Sequence, residues 1–282
     1  MRLIHIGLKF LWSDKLKILI ACSASKKNPP TENLIWSSNT DPESWLKEIS
    51  EADTELLHPR EMYTGRATKT QSEIVVNHGY ELWFVSAGLG IINGNSEATP
   101  IPSYEASFSG INNGPDNDQW ALMHSSSITQ LEGQDRILLL LPTPYLRTIV
   151  NHLLPMANRV TMFETNSPLL DHGANVVNLH PRIREAIGCA ATDYWTEILR
   201  LVISNGINTP ELIEMNTKAR KLPDRPIRRR VNNDELTSLI LDLPRSVNTA
   251  SGAVRYIRDV FSVAAAQERI FAIWKKEKNN NH

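Results

Sequence analysis

The sequence predicts an α/β protein: a mostly parallel sheet flanked by helices, followed by a basic helical C-terminal region. Three observations carry this. Apolar runs of strand length recur at residues 17–22, 81–86, 136–141 and 159–163, with a shorter one at 175–179. Segments with helical character separate them, at 42–50, 66–78, 117–131, 144–154 and 192–204, and strands that alternate with helices pair in parallel. Charge then divides the chain. Residues 1–205 carry 16 Lys and Arg against 22 Asp and Glu, a net of −6, whereas residues 206–282 carry 14 against 9, a net of +5. Two regions follow: an α/β domain, 1–205, and a basic linker with helices, 206–282.

Each element has a local reason. Lys17-Ile18-Leu19-Ile20-Ala21-Cys22 reads as a buried strand that breaks into a small hydroxyl-rich loop, Ser23-Ala24-Ser25-Lys26-Lys27. Pro29-Pro30 carries the loop toward Pro42, which opens a helix where its missing N–H costs nothing. Residues 56–65 run as strand or loop into a turn, and the helix from Arg66 ends at Gly79. Glu81-Leu82-Trp83-Phe84-Val85-Ser86 is a second buried strand ending in Ala87-Gly88-Leu89-Gly90. Residues 91–116 form a long loop rich in Gly, Asn, Ser and Pro; its Ile101-Pro102-Ser103-Tyr104-Glu105 reads as an ordered site wall. The helix over 192–204 stops at Asn205-Gly206. Between 218 and 230, seven basic residues and one acid surround Pro223 and Pro226, which exclude a regular helix, so the stretch reads as a basic arm. Asn233-Asp234-Glu235 caps a short helix to Leu243. Ser251 caps a longer one, or a pair, reaching about Lys278, with Val254, Ile257, Phe261, Ala264 and Ala265 at helical spacing and a frayed end beyond.

Composition sets several functions aside. With 41% hydrophobic and 22% charged residues the chain falls in the soluble globular class. No apolar run approaches the ~20 residues of a bilayer span, so no membrane partner is expected. His5 and Lys9 interrupt the N-terminal apolar stretch, and no small-residue cleavage site follows, so no signal peptide is expected. Cys22 and Cys189 make no disulfide framework, which points to a reducing cytoplasm. There is no C-x-x-C or H-E-x-x-H, and His172, His180 and Cys189 lack familiar ligand spacing; neither metal nor cofactor is expected. The chain has no Walker sequence for nucleotide hydrolysis and no G-x-S-x-G for a serine hydrolase.

In an open α/β sheet, ligands bind beyond the carboxyl ends of the strands. The first strand ends there in Cys22, Ser23, Ser25, Lys26 and Lys27, and a lysine close to a thiol favours the nucleophilic thiolate. The alternative for Cys22 is a small inert core residue. Tyr63 and Tyr104 are either base-stacking and hydrogen-bonding groups or tyrosines at the core edge. Gly65, Gly88 and Gly90 permit close backbone approach, to a ligand or to a neighbouring strand. Arg225, Arg228, Arg229 and Arg230, with Lys27, suit backbone phosphates, or else form a solvated linker.

Ile18-Leu19-Ile20-Ala21-Cys22-Ser23-Ala24-Ser25-Lys26-Lys27 resembles the opening Cys-Ser-x-x-Lys signature of a family related to the YaaA peroxide-stress proteins. Three further segments follow in the family's order. Met62-Tyr63-Thr64-Gly65 resembles its Tyr-x-Gly, Phe84-Val85-Ser86-Ala87-Gly88-Leu89-Gly90 its Ser-Ala-x-x-Gly-Leu strand end, and Ile101-Pro102-Ser103-Tyr104-Glu105 its Pro-Tyr segment. Ser251-Gly252-Ala253-Val254-Arg255-Tyr256-Ile257-Arg258, with Gln267-Glu268-Arg269, is similar to a helical tail of such proteins. The chain departs from the pattern at Gly88-Leu89 and at Ser103, which separates Pro102 from Tyr104.

The resemblance implies chemistry on 7-deazaguanines. Related domains act on the nitrile of 7-cyano-7-deazaguanine (preQ0), and a DpdC-type branch in bacterial DNA-modification clusters converts that nitrile to an amide. The expectation is therefore nitrile hydration, with DNA and other proteins of such a cluster as partners. Cys22 would attack the nitrile carbon, Lys26 would favour its thiolate, and Glu105 or Glu61 would act as general acid or base. Ser23, Ser25, Tyr63, Gly65, Ser86, Gly90 and Tyr104 would bind substrate. Two alternatives stand beside it: a non-enzymatic DNA-binding protein of the YaaA type, and a glycosidic-bond enzyme that depends on Glu105 and not on Cys22.

Overall fold

The computed structural model describes residues 16–108, 114–163, 167–203, 209–224 and 227–280. The Asn205-Gly206 helix stop, Arg225 and the last two residues fall outside them. The chain separates into two compact units, Met1–Leu222 and Pro223–His282.

In the first unit, β1 (Leu16–Ala21) leads through α1 (Pro42–Ser50), the single turn α2 (Pro59–Met62) and α3 (Arg66–Asn77) to β2 (Glu81–Ser86). A short strand, β3 (Gly90–Asn93), turns back antiparallel on β2. Then come α4 (Asn117–His124), β4 (Arg136–Leu140), α5 (Thr143–Ile149), β5 (Val160–Met162), β6 (Asn175–Val176), α6 (Ile183–Ile187), α7 (Tyr194–Ile203) and α8 (Pro210–Arg220). Sheet order is β3-β2-β1-β4-β5-β6, and every pairing except β2 with β3 is parallel.

The strands lack alternation because both faces are buried, as parallel sheets require. Ile18, Ile20, Leu82, Phe84, Leu138 and Leu140 face one core with Trp45, Val75, Ile198 and Leu212. Leu19, Trp83, Val85, Leu139 and Leu141 face the other with Trp120, Leu146 and Ile149. Capping follows the sequence: the Asp41 carboxylate accepts from Ser44 N at 2.9 Å ahead of Pro42, and Asp116 with Gln119 forms a capping box on α4.

In the first unit four elements depart from the sequence reading. Residues 91–93, read as loop, pair with β2; a four-residue strand opened by a glycine at φ +73° gives little periodic signal. The helices over 117–131 and 144–154 end as 3-10 turns, Ser125–Leu131 and Val150–Arg159, the second containing Pro155. The units divide at 222/223 and not at 205/206, because α8 buries Leu212 and Ala219 in the first core. Lys218 and Arg220 thus close a helix, where cations meet the dipole favourably, instead of opening a linker.

The second unit contains β7 (Arg229–Arg230), α9 (Asn233–Leu241), α10 (Ala250–Asp259), β8 (Val263–Ala264) and α11 (Gln267–Asn280). Val231, Leu236, Ile240, Ala253, Val254, Ile257, Val263 and Ile270 form its core. The long helical stretch is a pair: Ser262 takes φ +52° between α10 and β8 and breaks it. Thr249, two residues before Ser251, caps α10 by accepting from Gly252 N at 3.0 Å.

Candidate functional site

The chain leaves β1 toward β2 on one side and returns to β4 on the other, so the topological switch point lies between β1 and β4. Ile20 pairs with Leu140, which brings Cys22 level with Pro142 at the carboxyl edge. Cys22 N donates to Val85 O at 3.0 Å, and the side chain is 7% exposed on the Ile18–Ile20 face. Tyr145, on α5, reaches back across the switch point: its hydroxyl lies 3.8 Å from Cys22 Sγ and donates to Cys22 O at 3.5 Å.

Hydrogen bonds hold the loop after Cys22. Ser23 Oγ accepts from Ser25 N at 2.9 Å and Gly65 N at 3.1 Å, tying the loop to the start of α3. Lys27 N donates to Met62 O, Thr64 N donates to Ser25 O, and Lys26 forms a β-bridge with Tyr63. Lys26 Nζ, fixed by Ser23 O at 3.0 Å, stands 4.6 Å from the centre of the Tyr104 ring and 5.8 Å from that of Tyr63. Burial lowers the Lys26 pKa from its ordinary value, and the negative charges of Cys22 and Glu105 oppose that shift.

The hydroxyls beneath form a chain whose direction can be counted. Ser86 Oγ accepts from Gly88 N at 3.2 Å and Leu89 N at 3.1 Å, which occupies both acceptor sites. Its proton therefore goes to Tyr104 Oη, 2.5 Å away, and Tyr104 donates in turn to Tyr63 Oη at 2.7 Å. The Tyr63 proton is left at the open end, with no other hydrogen-bond acceptor among the described residues. Both tyrosines are fully buried, and desolvation, then neighbouring negative charge, raises their pKa values well above the ordinary range, so they stay protonated. Trp45 Nε1 donates to Gly88 O and Trp120 Nε1 to Ser86 O, each at 2.8 Å, and these clamp the β2 strand end.

The structure thus brings together Cys22, Ser23, Lys26, Tyr63, Gly65, Ser86 and Tyr104, drawn from four segments of the chain. Ser25, Lys27 and Glu105 are exposed. Glu105 pairs through its backbone with Leu34 and Trp36, and its charge acts on Lys26. At Gly90 the positive φ makes the β2–β3 turn, and a Cβ there would meet Ser127 Oγ at 2.7 Å and His124 at 2.9 Å. Arg228 and Arg229 are occupied inside the second unit. Arg228 binds Asp259 at 2.9 Å and Arg258 O, and Arg229 pairs with Glu235. Arg230 is exposed, and Arg225 lies outside the described residues. Tyr145 is the site residue that the sequence reading missed; Thr143-Pro144-Tyr145 directly after the β4 strand was the available signal. Among the described residues no group of three His, Cys, Asp or Glu is placed to hold a metal, and no helix is long and apolar enough to cross a membrane.

Fold and site together define a class, an open α/β protein with a buried thiol at its topological switch point, ringed by a lysine and three tyrosines. No family model and no curated protein matches the chain.

Proposed function

We propose that this chain hydrates the nitrile of a preQ0-type 7-deazaguanine base, carried in DNA, to the carboxamide through a thioimidate on Cys22. One observation carries the thiol chemistry: Cys22 shares a buried cluster with the Lys26 ammonium and with the open, donating end of the Ser86–Tyr104–Tyr63 hydroxyl chain. The nitrile and the deazaguanine come from the YaaA-type motifs at residues 17–105. A cytoplasmic location and partner proteins of a DNA-modification system belong to the same reading.

Cys22 Sγ adds to the nitrile carbon, and the thiol proton is delivered to the nitrile nitrogen through Lys26 while Tyr63 donates a hydrogen bond to that nitrogen, giving a neutral thioimidate. Water then adds to the same carbon, the C–S bond breaks, and the thiol is restored beside a carboxamide. Burial lowers the Lys26 pKa, which makes its ammonium a readier proton donor than an exposed lysine. Tyr63, with its raised pKa, serves as donor only.

Mass spectrometry of nucleosides from preQ0-containing DNA incubated with the protein tests this. Wild type should add one water to the deazaguanine, Cys22→Ala none, and Tyr63→Phe should be slower by roughly 10²-fold. Water gain in Cys22→Ala would discard the thioimidate. A released base that depends on Glu105 would favour the glycosidic-bond enzyme. No change in the bases, with DNA binding intact, would favour the binding protein.

A further inference from the structure

A cavity of about 220 Å³ opens at the carboxyl ends of β4 and β5, and neither the thiol cluster nor the hydroxyl chain accounts for it. Leu139, Leu141, Leu146, Phe163, Tyr194 and Trp195 are among the side chains that line it. We infer that this cavity seats the planar heteroaromatic ring of the substrate while the ring's substituent reaches Cys22; the identity of that ring rests on the reaction proposed above.

Its position follows from register. Leu141 lies one residue past the Ile20–Leu140 pair, so the cavity wall stands one strand spacing, about 4.8 Å, from the strand that ends in Cys22. Leu146 is the residue after Tyr145, whose hydroxyl touches Cys22 Sγ, so one short helix borders both cavity and thiol. Protein interiors leave few voids larger than a water molecule. Roughly 220 Å³ is several times the ~30 Å³ a water occupies, yet below the ~300 Å³ where drug-sized sites begin. The space therefore suits a bicyclic base and excludes a whole nucleotide. Phe163, Trp195 and Tyr194 form a continuous aromatic wall, with centroids 6.0 Å and 4.9 Å apart, of the kind on which bases stack. The Tyr194 hydroxyl has no hydrogen-bond partner among the described residues and is available to the polar edge of such a ring.

Isothermal titration calorimetry with 7-deazaguanine, which lacks the nitrile, and with 7-cyano-7-deazaguanine tests the assignment. Wild type and Cys22→Ser should bind 7-deazaguanine equally. Trp195→Ala should weaken both ligands about tenfold, and Trp195→Phe, which keeps a stacking face, should stay within about threefold of wild type. Circular dichroism confirms that each variant is folded. Equal affinity in wild type and Trp195→Ala, or no measurable binding of either base to wild type, would overturn the assignment. Retained ring binding without water addition would sink the reaction and leave the ring site standing.

Discussion

His124 closes α4 with its ring edge-on to Trp120, centroids 5.6 Å apart, and its Nε2 is buried with no hydrogen-bond partner. Burial lowers its pKa to about 4, and a contact with the Gly88 backbone opposes that only in part. In the unfolded chain the imidazole takes its proton near pH 6.5. Between 6.5 and about 4 the unfolded state binds more protons than the folded one, so stability falls as pH drops through that window. The loss from this residue alone approaches about 3 kcal/mol below pH 4. Urea unfolding at pH 7, 5.5 and 4.5 should show the decline, and His124→Leu should flatten it. An unchanged slope in the variant would mean that other groups carry the acid sensitivity. Lys17 shows the opposite solution to burial: its ammonium, on a 6% exposed residue, finds Gln130 O, Glu132 O and Asp135.

At the scale of elements, the junction of the β1 loop with α3 is the tightest part of the site. A Cβ on Gly65 would lie 2.2 Å from Ser23 Oγ and 3.0 Å from Ser23 Cβ, although its φ of −58° suits any residue. The requirement for glycine is steric. Gly65→Ala must push the Ser23 hydroxyl away from Ser25 N and Gly65 N, at a cost of roughly 2 kcal/mol. Ser23→Ala/Gly65→Ala should regain part of that stability in thermal unfolding; additive losses would show that Ser23 is not the obstacle. Edge strand β3 is managed by side chains: Ser127 Oγ accepts from Ile91 N at 3.0 Å and Gln130 Nε2 donates to Ile91 O at 3.3 Å, which blunts a pairing edge.

Over the whole molecule, the two units differ in what their charges do. The proposed action on a base in DNA would call for phosphate contacts, and in the second unit Arg230, Arg245 and Arg255 are exposed with no ion pair among the described residues. Arg228 and Arg229 spend their charge on Asp259 and Glu235. Each phosphate contact contributes about 0.9 to the slope of log affinity against log salt. Arg230→Ala should therefore reduce that slope by about one in fluorescence-anisotropy titrations of duplex DNA. Arg228→Ala should leave the slope unchanged. Equal slopes for Arg230→Ala and wild type would remove Arg230 from the DNA contact.

Much of this was legible locally. Buried strands, proline-opened helices and the thiol, lysine and tyrosine segments are set by neighbours in sequence, so the α/β class and Cys22, Ser23, Lys26, Tyr63, Ser86 and Tyr104 could be read from the chain. The C-terminal arginines were readable as a charge run but not as separate roles, because Asp259 lies far along the chain from Arg228. Tyr145 joins Cys22 across a separation of 123 residues, and α8 belongs to the first unit through Leu212 and Ala219. The direction of the hydroxyl chain depends on two backbone N–H groups that only the folded β2 strand end aims at Ser86. Local propensity and residue chemistry act over a few residues and determined the elements and the candidate groups. Register, hydrogen-bond direction and the partner of each charge are long-range quantities, and only tertiary packing decided them.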